Sequence, residues 1–159
     1  LGGCGASVIQ PGLTVRPDAN LADPVSKKVP PTRVHVVGVT GPEKKAFWEG
    51  VNVTEHFEKV SGADAVAQGI REFDLERGEV RIARDDASWE AWQKPQYLVV
   101  LVNLRDKVND GGKPNDPRRL ILSLNAKRWS KLDGPIVLDV TRDQILVRSE
   151  QTPVPAGEF

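Results

Sequence analysis

Few residues in this 159-residue chain have the types and spacing that catalysis or metal binding requires. The two histidines, His35 and His56, fall short of the three or four ligands of a zinc site. His35 lies among valines, which favours a packed, hydrogen-bonded residue, whereas His56 lies beside Glu55 and Glu58, which favours a solvated cover. We therefore expect no bound metal and no cofactor.

The acidic and serine patterns also favour structural roles. Asp85, Asp86 and Glu90 could act as paired carboxylates, but such a cluster is typical of a helix start, where the helix dipole favours negative charge. No serine lies in a Gly-x-Ser-x-Gly turn, and no Gly-rich phosphate-binding motif occurs. A Ser-His-Asp triad stays open, because its members meet only in space. We expect a protein that is not an enzyme.

The single cysteine, Cys4, follows a leucine and two glycines. This pattern matches the lipobox, at which bacterial signal peptides are cut and the cysteine thiol takes a diacylglyceryl group. We predict that residues 1–3 are a signal-peptide remnant and that Cys4 carries a lipid anchor, which attaches a protein to a bilayer without spanning it. Gly5 follows instead of an aspartate, which favours the outer membrane. The alternative is a Gly-rich start with a chance cysteine.

The elements that position these residues are organised around Tyr97–Arg105. The apolar run Tyr97–Val102 is short, β-branched and bounded by turn residues, which predicts a strand buried on both faces. The 22 basic residues equal the 22 acidic ones, so no global field would attract nucleic acid or anionic lipid. The chain also lacks the run of about 18 apolar residues that would predict a membrane-spanning helix.

Turn signals divide the chain into short strands. The predicted strands are Leu13–Arg16, Arg33–Thr40, Ile70–Leu75, Glu79–Ala83, Tyr97–Arg105, Arg119–Leu124, Pro135–Val140 and Gln144–Arg148. Short helices are predicted at Glu43–Gly50, at Ser61–Gly69 with Ser61 as N-cap, and at Asp85–Gln93. Val51–Phe57 stays open between a strand and an irregular cover. This pattern predicts an all-β fold, a two-sheet sandwich of about eight strands with short helical inserts.

Domain boundaries follow from composition. Residues 4–12 are rich in small and polar residues and are predicted to form the lipidated tether. Residues 13–150 hold all the predicted strands and form the β-sandwich domain. Residues 151–159 are Pro-rich and are predicted to form a loose C-terminal tail. The stretch Asn109–Pro117 is predicted to be an exposed hairpin loop.

A long polar stretch, Asp18–Thr32, joins the first two predicted strands. Long loops in compact domains are often functional, and prolines stiffen this one, although an ordinary exposed connection is the alternative. The candidate partner-binding residues are Asp18, Asn20, Asp23, Pro24, Lys27, Lys28, Pro30 and Pro31.

The four tryptophans offer a second candidate function. Trp48, Trp89, Trp92 and Trp129 all fall in predicted loops or helical inserts. We favour the interpretation that they close the open edges of the sandwich. If two or three instead share an exposed face, they would form a platform for a ligand such as a glycan.

The order of these features resembles the TssJ family of type VI secretion outer-membrane lipoproteins, also called SciN or VasD. That family has a lipobox cysteine, a strand, a loop with Asn and Pro, a valine-rich strand, a Phe-containing segment, a small helix, a Pro-Gly-Glu turn and an aromatic-led core strand. Here Arg77 stands in place of the proline of the turn. The matching stretches here are Cys4, Leu13–Val15, Asp18–Pro31, Val34–Val39, Ala46–Phe57, Ala63–Gly69, Arg77–Glu79 and Tyr97–Asp106.

This resemblance implies a transthyretin-like β-sandwich with a structural role. The implied protein is an adaptor on the periplasmic face of the outer membrane, which ties the inner-membrane protein TssM to that membrane. In the family the loop between the first two strands makes this contact, so the resemblance implies that Asp18–Thr32 binds the partner. Its prolines would lower the ordering cost of binding, and Lys27, Lys28 and Arg33 could supply a polar rim.

Overall fold

The computed structural model describes residues 7–105 and 115–159, which contain eight strands and four α-helices. The strands are β1 (Leu13–Pro17), β2 (Arg33–Val39), β3 (Arg71–Asp74), β4 (Val80–Ile82), β5 (Tyr97–Val102), β6 (Arg119–Ser123), β7 (Ile136–Val140) and β8 (Ile145–Val147). The helices are α1 (Pro42–Glu49), α2 (Val53–Lys59), α3 (Ala63–Ala67) and α4 (Ala87–Ala91). Short 3₁₀ turns are found at Ala19–Leu21, Leu75–Arg77 and Ala126–Trp129.

The strands form two four-stranded sheets that enclose one core. Sheet A has the order β4-β1-β7-β8, and sheet B has the order β3-β2-β5-β6. Strand β1 runs parallel to β7, whereas the other pairs in the described ranges are antiparallel. The predicted all-β, two-sheet sandwich with short helical inserts is confirmed.

The outer face of sheet A is polar. The Asp139 carboxylate on β7 accepts hydrogen bonds from Arg16 on β1 at 2.7 Å and from Arg148 at 2.8 Å. Residues that alternate with these, such as Val15 and Leu138, are fully buried between the sheets. Sheet A therefore presents one apolar face and needs only sheet B to cover it.

Sheet B is apolar on both faces at its centre. All six residues of β5, Tyr97–Val102, are at most 8% exposed. One face of β5 packs against sheet A, and helices cover the other: Lys45 of α1 lies over the Tyr97 ring, and His56 of α2 contacts His35, which pairs with Leu101. The predicted burial of this strand on both faces is confirmed.

The helices differ from the prediction in two places. The stretch left open, Val51–Phe57, contains most of α2, which begins where the Asn52 side chain accepts a hydrogen bond from the Glu55 amide at 3.1 Å. Its buried residues are Val53, His56 and Phe57, which have helical spacing. The predicted N-cap Ser61 is wrong, because Gly62 precedes α3 at a φ of 51° that favours glycine.

Both ends of the described chain contact the sandwich. Ser7–Ile9, within the predicted tether, pair with Leu124–Ala126 beyond the end of β6, as the Ile9 amide donates to the Leu124 carbonyl at 2.9 Å. In the tail, the Phe159 carbonyl accepts from the Asn125 side chain at 2.9 Å. The predicted loose tail is instead held against sheet B. The predicted loop Asn109–Pro117 lies largely outside the described residues.

Gly38 on β2 provides a test of how tightly the helical layer packs. A Cβ atom at this position would lie 2.7 Å from Pro95 Cγ and 2.9 Å from Trp92 Cδ2. We expect Gly38→Ala to lower the free energy of unfolding by about 1–3 kcal/mol, as is typical of overpacking. Urea denaturation would measure this change.

Gly50, at the end of α1, is the matched control for this substitution. Its φ is −94°, and an added Cβ would lie no closer than 3.7 Å to the carbonyls of Ala46 and Phe47. Gly50→Ala should therefore have little effect on the free energy of unfolding. An equal loss of stability in both variants would contradict the packing argument.

Candidate functional site

The candidate loop Asp18–Thr32 crosses from sheet A to sheet B at one end of the sandwich, because it joins Pro17 of β1 to Arg33 of β2. Its first part is a 3₁₀ turn, in which Asp18 Oδ2 accepts from the Asn20 amide at 3.1 Å. Leu21 is buried at this turn and anchors the loop to the core. The Asn20 side-chain oxygen accepts from the Arg142 amide at 3.0 Å, which connects the loop to the β7–β8 turn.

The middle of the loop is a second ordered turn built around Asp23. Its Oδ1 atom accepts from the amides of Val25 and Ser26, each at 2.8 Å. Its backbone also exchanges hydrogen bonds with Lys27 and Lys28, both at 2.8 Å. The amides of Ser26 and Val25 hold the pKa of the Asp23 carboxyl below its usual value. The loop is therefore ordered by its own hydrogen bonds.

The last part of the loop forms one wall of an open groove of about 680 Å³. Val29, Pro30 and Pro31 line this wall, and the turn Leu75–Gly78 between β3 and β4 lines the opposite one. Asp74 fixes the spacing, since its Oδ1 atom accepts from the Thr32 amide at 2.8 Å and the Glu76 amide at 2.9 Å.

The predicted loop residues divide into two groups. Asp18, Asn20 and Asp23 use their side chains to shape the loop. The residues that face solvent at the tip are Pro24, Val25, Lys27 and Lys28, while Pro31 is exposed and Pro30 half-buried beside the groove. Val25 was not among the predicted contact residues, yet it is 89% exposed. An apolar residue within a polar loop was the sequence signal for it.

The tryptophans do not form an exposed platform. Trp48, Trp89, Trp92 and Trp129 are each 1–9% exposed. Three of their indole N–H groups donate to backbone carbonyls, of Ala83, Gly69 and Ser123, at 2.7–3.0 Å. This burial agrees with the favoured interpretation that the tryptophans close the sandwich, because their rings complete the core. The alternative required two or three tryptophans on an exposed face, and these residues do not provide one.

The two histidines meet in the interior, on the outer face of sheet B. His35 Nδ1 lies 2.8 Å from His56 Nε2, and His35 Nε2 lies 2.7 Å from Glu72 Oε2. The prediction of a hydrogen-bonded His35 is confirmed, whereas the solvated position predicted for His56 is wrong, since it is 8% exposed. Its contact with His35, 21 residues away, could not be read from its charged neighbours.

Burial sets the protonation of this cluster. Burial, together with the nearby His35 and Arg33, lowers the pKa of His56 to about 4. Burial also lowers the pKa of His35, although the Glu72 carboxylate opposes this effect. Burial raises the pKa of Glu72, but hydrogen bonds from His35 and the Gly62 amide bring it below its ordinary value. Both imidazoles are therefore neutral near pH 7.

Neither a metal centre nor a membrane span is found in the described ranges 7–105 and 115–159. No group of three or more His, Cys, Asp or Glu residues there could hold a metal ion. No helix in these ranges has both the length and the apolar character needed to cross a bilayer.

The N-terminal segment Ser7–Ile9 contacts the sandwich at the end opposite the candidate loop. Ser7–Ile9 lie beside the end of β6, where Ser123 pairs with Tyr97 and Tyr97 pairs with Val39. The loop instead meets the other end of β2, at Arg33. Cys4, the predicted lipid site, lies outside the described residues.

No protein-family model and no curated protein matches the chain. Several solved structures, however, are similar to this chain. A chain described as "Type VI membrane complex" has a TM-score of 0.51 at 12% identity, covering 86% of this chain and 95% of that chain. The protein therefore has the same fold as that chain of the type VI membrane complex. A structure described as the "T6SS protein TssM C-terminal domain (869-1107) from EAEC" also has a TM-score of 0.51 at 12% identity, with 91% and 98% covered.

The T6SS lipoprotein TssJ1 from Pseudomonas aeruginosa is similar at a TM-score of 0.47 and 16% identity, over 94% of this chain and 99% of that chain. The fold that the resemblance implies is confirmed, and it is shared with a chain of a type VI membrane complex. The two structures with a TM-score of 0.51 are both described as parts of a type VI secretion system.

The Asp23 turn gives a test of loop order. We expect Asp23→Ala to raise amide hydrogen exchange at Val25 and Ser26 at least several-fold, because it removes the acceptor that both amides share. Asp23→Asn keeps an acceptor oxygen. The amides of Val25 and Ser26 should therefore exchange much more slowly in this variant than in the alanine variant. Equal exchange in the wild type and the alanine variant, measured by NMR, would contradict this account of the turn.

Proposed function

We propose that this protein is a structural adaptor of a type VI secretion membrane complex, with no catalytic activity and no cofactor. In this proposal Cys4 carries a lipid anchor in the outer membrane and the folded domain faces the periplasm. The loop Asp18–Thr32 binds the periplasmic part of a TssM-like inner-membrane protein. The observation that carries the proposal is the fold shared with a chain of a type VI membrane complex.

The arrangement of the two ends supports this role. Cys4 precedes Ser7 by three residues, which span at most about 11 Å whatever their conformation. Ser7–Ile9 are paired to sheet B at one end, so a lipid on Cys4 would hold that end close to the membrane. The seven residues of β2 separate this end from the loop by about 20 Å. The loop would therefore face away from the outer membrane, toward an inner-membrane partner.

The composition of the loop also supports protein binding. The Asp23 hydrogen bonds and the prolines fix its shape before binding, which reduces the conformational entropy lost on association. The tip combines one apolar residue, Val25, with the cations of Lys27 and Lys28. A small apolar centre with a charged rim is typical of protein interfaces.

The exposed valines provide a matched pair of variants. Val25 in the loop is 89% exposed and Val66 on α3 is 76% exposed, so neither is needed for the core. We expect Val25→Asp to weaken binding to the purified periplasmic domain of the TssM-like protein at least tenfold, because it places a charge in the centre of the contact. Val66→Asp should bind like the wild type. Isothermal titration calorimetry would measure both affinities.

Wild-type affinity in the Val25→Asp variant would contradict the assignment of the contact to the loop tip. Replacing residues 24–28 by glycine and serine extends the test to the whole tip while keeping the buried Leu21 and the capped turn before it. If this variant also binds normally, the tip of the loop is not the binding site.

The anchor is tested separately. We expect Cys4→Ser to move the protein from the membrane fraction to the soluble periplasmic fraction, because serine cannot form the thioether that carries the lipid. Immunoblots of fractionated cells would show the change. A serine variant that stays in the membrane fraction would exclude Cys4 as the anchor.

A further inference from the structure

A chain of three hydrogen-bonding side chains connects three elements on the outer face of sheet B. Glu72 belongs to β3, His35 to β2 and His56 to α2. The Glu72–His35 and His35–His56 contacts are 2.7 and 2.8 Å long. His35 is 2% exposed and His56 is 8% exposed. The role proposed for the loop uses neither histidine.

The Glu72 carboxylate, at one end of this hydrogen-bonded series, determines which ring nitrogens of His35 and His56 carry a proton. A carboxylate only accepts, so His35 donates from Nε2 to Glu72 and accepts at Nδ1 from the Nε2–H group of His56. One added proton fits this chain: a doubly protonated His35 donates to both Glu72 and His56. A second added proton does not fit, because both nitrogens of the 2.8 Å His35–His56 contact would then carry hydrogen.

The surroundings make the second proton costly. Arg33 of β2 places a cation beside the pair, and its guanidinium donates to the carbonyls of Phe57 and Val60 at 2.7 and 3.4 Å. α1 contributes only the Trp48 ring, 5.7 Å from the His56 ring centre. From β6, Arg119 donates to the Val51 carbonyl, before α2 begins.

Other charged side chains near α2 are either paired with each other or exposed to solvent. Arg118 donates to Thr54 Oγ1 at 2.8 Å and is paired with the buried Asp116 at 2.7 Å. Glu55 and Glu58, the acidic residues of α2 itself, are exposed. Glu72 is therefore the carboxylate that contacts the histidine pair directly, and its Oε2 atom also lies 3.8 Å from the Arg33 guanidinium. Because Glu72 already faces this cation, it has no further negative charge to balance two protonated imidazoles.

We propose that the Glu72–His35–His56 chain is a pH-sensitive latch: it holds α2 on sheet B at neutral pH and releases this helix when both imidazoles are protonated. An imidazole in the released helix regains water and its ordinary affinity for protons. Acid therefore favours the released state. The proposal is independent of the function of the loop.

The direction of the effect follows from proton linkage. The pKa of His56 is about 4 in the folded protein and about 6.5 when the residue is exposed to water. Between these values the open state binds more protons than the closed state, so stability falls as the pH falls from about 6.5 toward 4. Each linked proton changes the opening equilibrium by about tenfold per pH unit. The chain has two histidines, and both belong to the latch.

Hydrogen exchange resolved by segment tests the latch in the wild-type protein. We expect the opening constant of the α2 amides, Val53–Lys59, corrected for intrinsic exchange rates, to rise at least about tenfold between pH 7 and pH 5. The amides of β5, at the centre of sheet B, should keep their protection. Unchanged protection of α2, or an equal loss in α2 and β5, would overturn the proposal.

Two variants distinguish the latch from a general effect of acid on α2. His56→Gln keeps an N–H donor for His35 but cannot take up a proton, so its α2 exchange should change less than about twofold over the same pH range. Glu58→Gln removes an exposed carboxylate from the same helix and should behave like the wild type. A His56→Gln variant with the full wild-type response would overturn the proposal.

Discussion

The structure depends on the burial of β5 on both faces. A two-sheet sandwich covers one face of each sheet, so a strand that is apolar on both faces needs a third layer. The short helices supply this layer over sheet B, while the polar outer face of sheet A needs none. The third layer also takes polar side chains of β2 and α2 away from water, which requires their hydrogen bonds to be made inside the protein.

The strands and the positions of α1, α3 and α4 were predictable because their sequence signals are local, whereas α2 was not. β5 and the β7–β8 hairpin are where apolar runs and turn residues predict them. In α2 the buried positions Val53, His56 and Phe57 are separated by charged residues, which obscured the helical period. The burial of His56 and the hydrogen bond of Trp92 to Gly69 depend on residues more than 20 positions away, and no local pattern encodes such contacts.

In the candidate loop, too, some features could be predicted from the sequence and others depend on contacts between distant residues. Its bounds and exposure follow from proline and polar residues, and the fold places it at the end of the sandwich opposite Ser7–Ile9. Which polar residues shape the loop and which face outward depends on hydrogen bonds such as Asn20 to Arg142. Arg33, directly after the loop, also holds the carbonyls of Phe57 and Val60, so the base of the loop and the end of α2 share one side chain.

The parallel pairing of β1 with β7 has a consequence for how the chain folds. Sheet B takes its strands from a central stretch of the sequence, but β1 lies in sheet A between partners that are distant along the chain; its Arg16 meets Asp139 across 123 residues. During synthesis β4 becomes available to β1 midway through the domain, whereas β7, the parallel partner of β1, becomes available only near its end. Such a high contact order favours folding in milliseconds to seconds, and the first strand of the sequence is among the last to be secured.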